Sequence, residues 1–345
     1  MVSPNAVAPA ASYIAVLKAK RGELIAVSGT SAERFIPLLE VLDTTKHPVI
    51  TKNWPHADHA LWVHPINVEG AEESDWADSV ADLFSELRAA GTAAVPTATL
   101  EEYASTYSAF RDVVAADGRG LVLRIPCESI LEETSASLLA LVDQVLEQCG
   151  VQASATDLVI DGADLTGQAA PIQAGVADAA LAAVPYLDQW RNVVVAFSAF
   201  PGLVGEAVSK STVASLPRTD AAAFGLLISR WSGRLLLFGD FAVGSPTYGE
   251  ARFSPIPNIR YALEGEWRVH RAASKDNPSP QYRKLASDLV SAPYFSGAAF
   301  SPGDGYWASV ATGADGPGNP ESHLRAAMSR HFHVVLAALS THGAP

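Results

Sequence analysis

Short apolar runs, each ending in one polar or charged residue, recur along this chain with amphipathic stretches between them. That alternation constrains the fold more than any other feature. The runs Tyr13–Lys18, Phe35–Val41, Ala60–Ile66, Ala93–Thr97, Gly120–Ile125, Asp157–Asp161, Asn192–Ser198 and Arg234–Ala242 read as strands. Between them, Glu73–Ala89, Leu100–Ala116, Ser135–Cys149 and Gly167–Val184 carry apolar residues at helical spacing. Strands and helices taking turns predict a parallel α/β fold, and nearly continuous apolar strands predict a sheet covered on both faces. Eight such strands match a TIM-barrel-like (β/α)8 fold, although an open doubly wound parallel sheet shows the same runs. The barrel is favoured because no glycine-rich fingerprint follows the first strand and because polar residues end so many different strands.

The segment Thr219–Ala242 fits this scheme less well. Phe224–Trp231 and Leu235–Phe238 are strand-like runs separated by Ser232–Gly233, which predicts an antiparallel hairpin near the barrel's closure. A proline-rich passage at Ser254–Asn258 precedes strand-like Ile259–Ala262 and Glu266–His270, and helix-like Tyr282–Leu289 and Glu321–Leu339 follow. The division this predicts is a flexible N-terminus over residues 1–12, a barrel over 13–253 and a C-terminal capping segment over 254–345. The last part is too short for a robust core of its own, so it is expected to pack on the barrel.

Composition narrows the function classes. With 345 residues, 48% of them hydrophobic, the chain can bury a large core. The formal net charge of −13 repels a phosphate backbone, which argues against bulk nucleic-acid binding while leaving room for a local basic pocket. The two cysteines, Cys127 and Cys149, have no metal-ligand spacing and form no disulfide framework, which predicts a reducing, cytoplasmic setting. No apolar run reaches membrane-spanning length, and Met1–Ser12 lacks the basic start and apolar core of a signal peptide.

If the fold is a barrel, its chemistry sits where strands end. Lys18 and Lys20, beside Glu23, close the first strand and suit an anion; the structural alternative is a solvated charge cluster. Glu40 follows Pro37–Leu39 and points at the barrel mouth, as a general acid or base or as an ion-paired carboxylate. His64 ends Leu61–Val63 and suits proton transfer or phosphate binding, or a satisfied structural position. Arg124, inside an apolar strand, demands a carboxylate or phosphate partner, and Glu40 and Asp161 are internal candidates. Asp161 and Asp240 follow apolar runs and join Glu40 as candidate catalytic carboxylates or ligands to a divalent cation; a helix-cap role competes for Asp161. Ser198 ends its run as a further ligand-binding candidate.

Other signals are weaker. Gly316–Asn319 lacks the lysine and hydroxyl of a phosphate-binding loop and reads as a turn before the last helix. His331 and His333 share a face only in a strand, and the spacing of Leu324, Met328, Val335 and Leu339 predicts a helix, so neither is assigned as a metal ligand. The common hydrolase, zinc-protease and dinucleotide signatures are missing, and the tryptophans are scattered as packing residues.

The opening Tyr13–Glu23 with Ile36–Glu40 resembles the first two strands of the Beta protein family, named after a satellite-phage protein. More loosely, Trp267–Arg271, Gln281–Tyr282, Tyr294–Gly297, Gly303–Asp304, Gly316–Asn319 and Arg330–His331 follow that family's order. The resemblance implies a phage or prophage accessory protein tied to anti-phage defence, and it implies no established reaction. Three functions therefore stand as expectations. The first is an accessory protein that binds a small anionic ligand or a partner encoded nearby at the barrel mouth. The second is a hydrolase of a phosphorylated or nucleotide-like substrate, with a divalent cation as its candidate cofactor. The third is a non-catalytic barrel whose charges neutralise one another.

Overall fold

The computed structural model describes residues 8, 9, 11–248 and 255–345. Its strands are β1 Tyr13–Lys18, β2 Phe35–Val41, β3 Leu61–Pro65, β4 Ala94–Ala98, β5 Leu121–Pro126, β6 Thr156–Gly162, β7 Asn192–Phe197, β8 Thr212–Pro217, β9 Leu237–Asp240, β10 Asn258–Ala262 and β11 Glu266–Arg271. Eight of them, β1 to β7 and β9, form a closed parallel barrel in chain order. Closure comes from β9, which pairs Leu237 with Val194 on one side and Phe238 with Tyr13 on the other.

Side chains alternate across the barrel wall as the two-residue period of a strand requires. Ile14, Val16, Leu38, Trp62, Val122 and Val194 belong to one apolar cluster inside the barrel. Tyr13, Leu17, Phe35, Leu39, Leu61 and Leu123 join the larger cluster beneath the outer helices. Helices Glu73–Ala89, Ala104–Asp117, Ser135–Cys149 and Ala170–Ala183 lie between successive strands where the periodicity places them. Gly118 and Gly150 end two of these helices in the left-handed conformation that glycine adopts without a Cβ penalty.

The predicted hairpin over residues 224–238 is corrected. Thr219–Arg230 is a helix, because Ala223, Phe224 and Leu227 recur at helical spacing and are buried on one side of it. An antiparallel excursion does exist, but its strand is β8, which joins β11 and β10 in a three-stranded sheet. β8 carries no buried residue, so no apolar run marks it.

The final helix, Pro320–His342, is capped by Asn319, with Gly318 at φ +75° in the turn before it. It packs against β1, β10 and the helix Arg21–Ser28, and Phe332 sits 4.9 Å from Phe35 ring to ring. The end of the chain thus supplies part of the barrel's outer layer as well as covering it. Gly303 lets the helix Pro302–Thr312 approach that layer closely, since a Cβ there would strike the Ala326 carbonyl. The expected boundary at 253/254 and most of the expected N-terminal segment lie outside the described residues. Among the described residues, no helix is long and apolar enough to cross a membrane.

Candidate functional site

Register decides which strand-end side chains meet. Val16, Leu38, Trp62, Val122 and Val159 point inward, so the residues two positions later, Lys18, Glu40, His64, Arg124 and Asp161, line the mouth at the C-terminal ends of the strands. Arg124 is their centre. Its Nε and Nη2 donate to Asp161 Oδ2 at 2.7 and 2.6 Å, and its Nη1 donates to Glu40 Oε1 at 2.8 Å. The same Nη1 lies 3.1 Å from His64 Nδ1. The guanidinium, 7% exposed, is therefore clasped by two carboxylates and an imidazole. Burial works against its charge, but Asp161 and Glu40 outweigh that and raise its pKa.

The clasp fixes its neighbours. Burial, followed by the adjacent Arg124 charge, holds His64 well below the usual imidazole range. Neutral His64 accepts from Arg124 at Nδ1, which assigns its proton to Nε2. Asp161 also accepts from the Ala163 amide at 2.9 Å, a local turn bond alongside the ion pair. Tyr248 lies over the mouth, where burial and the charge of Glu40 push its phenol up.

Tyr248 lines one of two cavities here, and its neighbours Lys18 and Glu40 line the other. The latter, of about 190 Å³, is lined by Lys18, Lys20, Glu23, Glu40 and Arg260. It adjoins a surface crevice of about 330 Å³ that shares Lys20, Glu23 and Arg260 and reaches Arg21 and His323. Lys18 donates to the carbonyls of Ser245, at 2.9 Å, and Thr247, and sits 5.0 Å from the Tyr248 ring centre. Arg260 packs on Phe200 at 4.6 Å and donates to the Val243 carbonyl at 2.5 Å; burial brings its pKa down to about 10. Among the described residues neither lysine nor Arg260 has a carboxylate within ion-pair distance. Glu23 is 6% exposed and its Oε2 has no hydrogen-bond partner among the described residues; burial pushes its pKa up to about 8. At pH 7 this carboxyl is predominantly neutral, and Lys18, Lys20 and Arg260 line the cavity together with Glu40, whose charge is taken up by Arg124.

The cavity that Tyr248 lines is a cleft of about 710 Å³, lined among others by His64, Glu101, Glu102, Tyr103, Arg124 and Asp161. A further cavity of about 390 Å³ lies at the opposite end of the barrel, against Trp62, Asp157 and Asn192. The N-terminal face of such barrels serves stability, and the ion pair of Asp157 with Arg191 at 2.6 Å fits that use.

Asp240 and Ser198, both expected at the mouth, do not join the clasp. Leu237 points inward, so Asp240, three residues on, points out through the wall. There it accepts from Tyr13 Oη at 2.5 Å and Arg218 Nη2 at 3.2 Å, with His331 Nε2 at 2.7 Å. Despite full burial, His331, Arg218 and Tyr13 hold Asp240 below the usual carboxylate range, while burial raises Asp220 beside it. Ser198 follows β7; its hydroxyl is buried and has no partner among the described residues. Arg260, Glu102 and Tyr248 are the mouth residues that sequence reasoning misses. Arg260 shows one signal, a lone arginine inside the apolar run Ile259–Ala262.

A closed (β/α)8 barrel with a charged clasp at its C-terminal mouth is the class this chain defines. The model of the Beta protein family matches residues 13–337, nearly the whole chain, and the chain belongs to that family. No curated protein matches it. Among solved structures it is similar to the enoyl reductase domain of MlnA from the macrolactin biosynthesis cluster of Bacillus amyloliquefaciens. That likeness has 11% identity and a TM-score of 0.34 over 94% of this chain and 80% of the other, and it carries no argument about chemistry here.

Proposed function

We propose that this Beta-family protein binds a small anionic ligand in the basic cavity at the barrel mouth, as an accessory component of a phage or anti-phage defence module. One observation carries the ligand class: Lys18, Lys20 and Arg260 line one cavity without carboxylate partners among the described residues, beside a Glu23 carboxyl that is neutral at pH 7. Three cations in a partly enclosed space attract an anion strongly, because low dielectric weakens their screening. The cavity's size suits a phosphate-sized group, and the adjoining crevice extends it to the scale of small-molecule sites. The defence role is supported by family membership alone.

Arg124, expected to hold the anion, is instead occupied: the clasp engages four of the five N–H donors that a guanidinium has. The hydrolase reading loses ground for a related reason. Of its three carboxylates, Glu40 and Asp161 balance Arg124, and Asp240 lies on the other side of the wall.

Isothermal titration with inorganic phosphate and pyrophosphate tests the proposal. Wild-type protein should bind at least one of them, and Lys20→Ala, which removes an exposed side chain, should weaken binding without changing the melting temperature of the free protein. Absence of binding by both anions at millimolar concentration would sink the proposal.

A further inference from the structure

We propose that the cleft lined by Tyr248 is a second binding site, for a neutral hydroxyl-rich ligand of the saccharide class. The cleft has about 710 Å³, room for one or two sugar rings, and lies within the range of small-molecule sites.

Four features select this chemistry. First, the cleft repels anions, since Glu101, Glu102 and Asp161 line it and the Arg124 charge is already balanced by Glu40 and Asp161. Second, His64 lines the cleft at 7% exposure, and Arg124 occupies its Nδ1. Its Nε2–H has no partner among the described residues and is a fixed neutral donor, suited to a hydroxyl or ring oxygen. Third, Glu102 is oriented by Thr99, whose Oγ1 donates to Glu102 Oε1 at 2.8 Å. The second carboxyl oxygen has no partner among the described residues and can accept from a hydroxyl. Fourth, the rings of Tyr103 and Tyr248, 44% and 43% exposed, border the same space. Exposed rings beside oriented donors and acceptors let a sugar place its C–H face on an aromatic ring while its hydroxyls bond at the edge. Carboxylates and aromatic rings also attract an organic cation. The Nε2–H of His64, a donor lining the cleft, finds no acceptor on such a cation, whereas it meets a hydroxyl or ring oxygen on a neutral ligand, so the neutral ligand is favoured.

Saturation-transfer NMR on the full-length protein tests this with ribose, glucose and maltose as probes, and with tetramethylammonium as the cationic comparison. At least one saccharide should receive saturation. Tyr103→Ala should weaken that saccharide about tenfold, while Tyr103→Phe, which keeps the ring, stays close to wild type. Glu102→Gln should weaken it as well. Lys20→Ala should leave it unchanged, which separates this site from the anion cavity. The inference is overturned if all three saccharides are silent, if tetramethylammonium alone binds, or if saccharide binding survives both Tyr103→Ala and Glu102→Gln intact.

Discussion

Two buried ion networks in this barrel are built from the same kinds of residue and serve opposite ends. At the mouth, Arg124 is held by Glu40, Asp161 and His64, and the group borders both of the cavities near Tyr248. In the wall, Asp240 is held by Tyr13, Arg218 and His331, under the final helix, and none of the cavities described above touches it. Arg218 and Asp240 are each 1% exposed. Both networks begin with a charged residue after an apolar strand. What separates them is the parity of the register: an inward residue reaches the mouth, and an outward one reaches the helical layer.

Unequal costs are therefore expected when each network loses its arginine. Arg218→Met leaves Asp220 and Asp240 buried around an apolar side chain, and stability should fall by about 3–5 kcal/mol in urea unfolding. Arg124→Met frees Glu40 and Asp161 beside cavities that water can enter, so the loss should be smaller, about 2 kcal/mol. Equal costs, or a larger cost at Arg124, would break the distinction between a sealed network and an open one.

Glu23 sharpens the comparison through pH. Its folded pKa is raised from the ordinary 4.5 to about 8, so the folded state favours the protonated carboxyl. The stabilisation this gives is fully present below pH 4.5 and is lost as pH rises through about 8. Wild-type stability should carry that downward slope, and Glu23→Gln should remove it while keeping a neutral side chain. Anion binding should weaken over the same upper range, because ionised Glu23 repels the ligand. A wild-type profile indistinguishable from that of Glu23→Gln would contradict the buried, neutral carboxyl. The smallest stability effect belongs to Lys20→Ala, within about 0.5 kcal/mol of wild type by thermal unfolding, since the side chain is exposed.

Much of this arrangement is legible in the sequence, for reasons that particular residues make plain. In β2, β3, β5 and β6 the strand-end residues Glu40, His64, Arg124 and Asp161 stand out against apolar neighbours, and each lies two positions after an inward residue. Asp240 misleads because Leu235–Phe238 is apolar on both faces, so nothing in the run marks which way the next residues point. The helix Thr219–Arg230 is hidden by Leu226–Leu227–Ile228, a contiguous apolar run that reads equally well as a strand. Arg260 is missed because it reaches the first strand's end only through the fold of the small sheet beside the barrel. The pairing of Glu102 with the cleft is a loop property, and loop conformation has no periodicity to betray it.

The most direct test of the anion site is an anomalous-scattering map from crystals soaked in selenate or tungstate. A peak is predicted between Lys18, Lys20 and Arg260, absent from Lys20→Ala crystals. A peak only on the outer surface, or one at Arg124 with the clasp of Glu40 and Asp161 opened, would contradict an anion site built on these three cations.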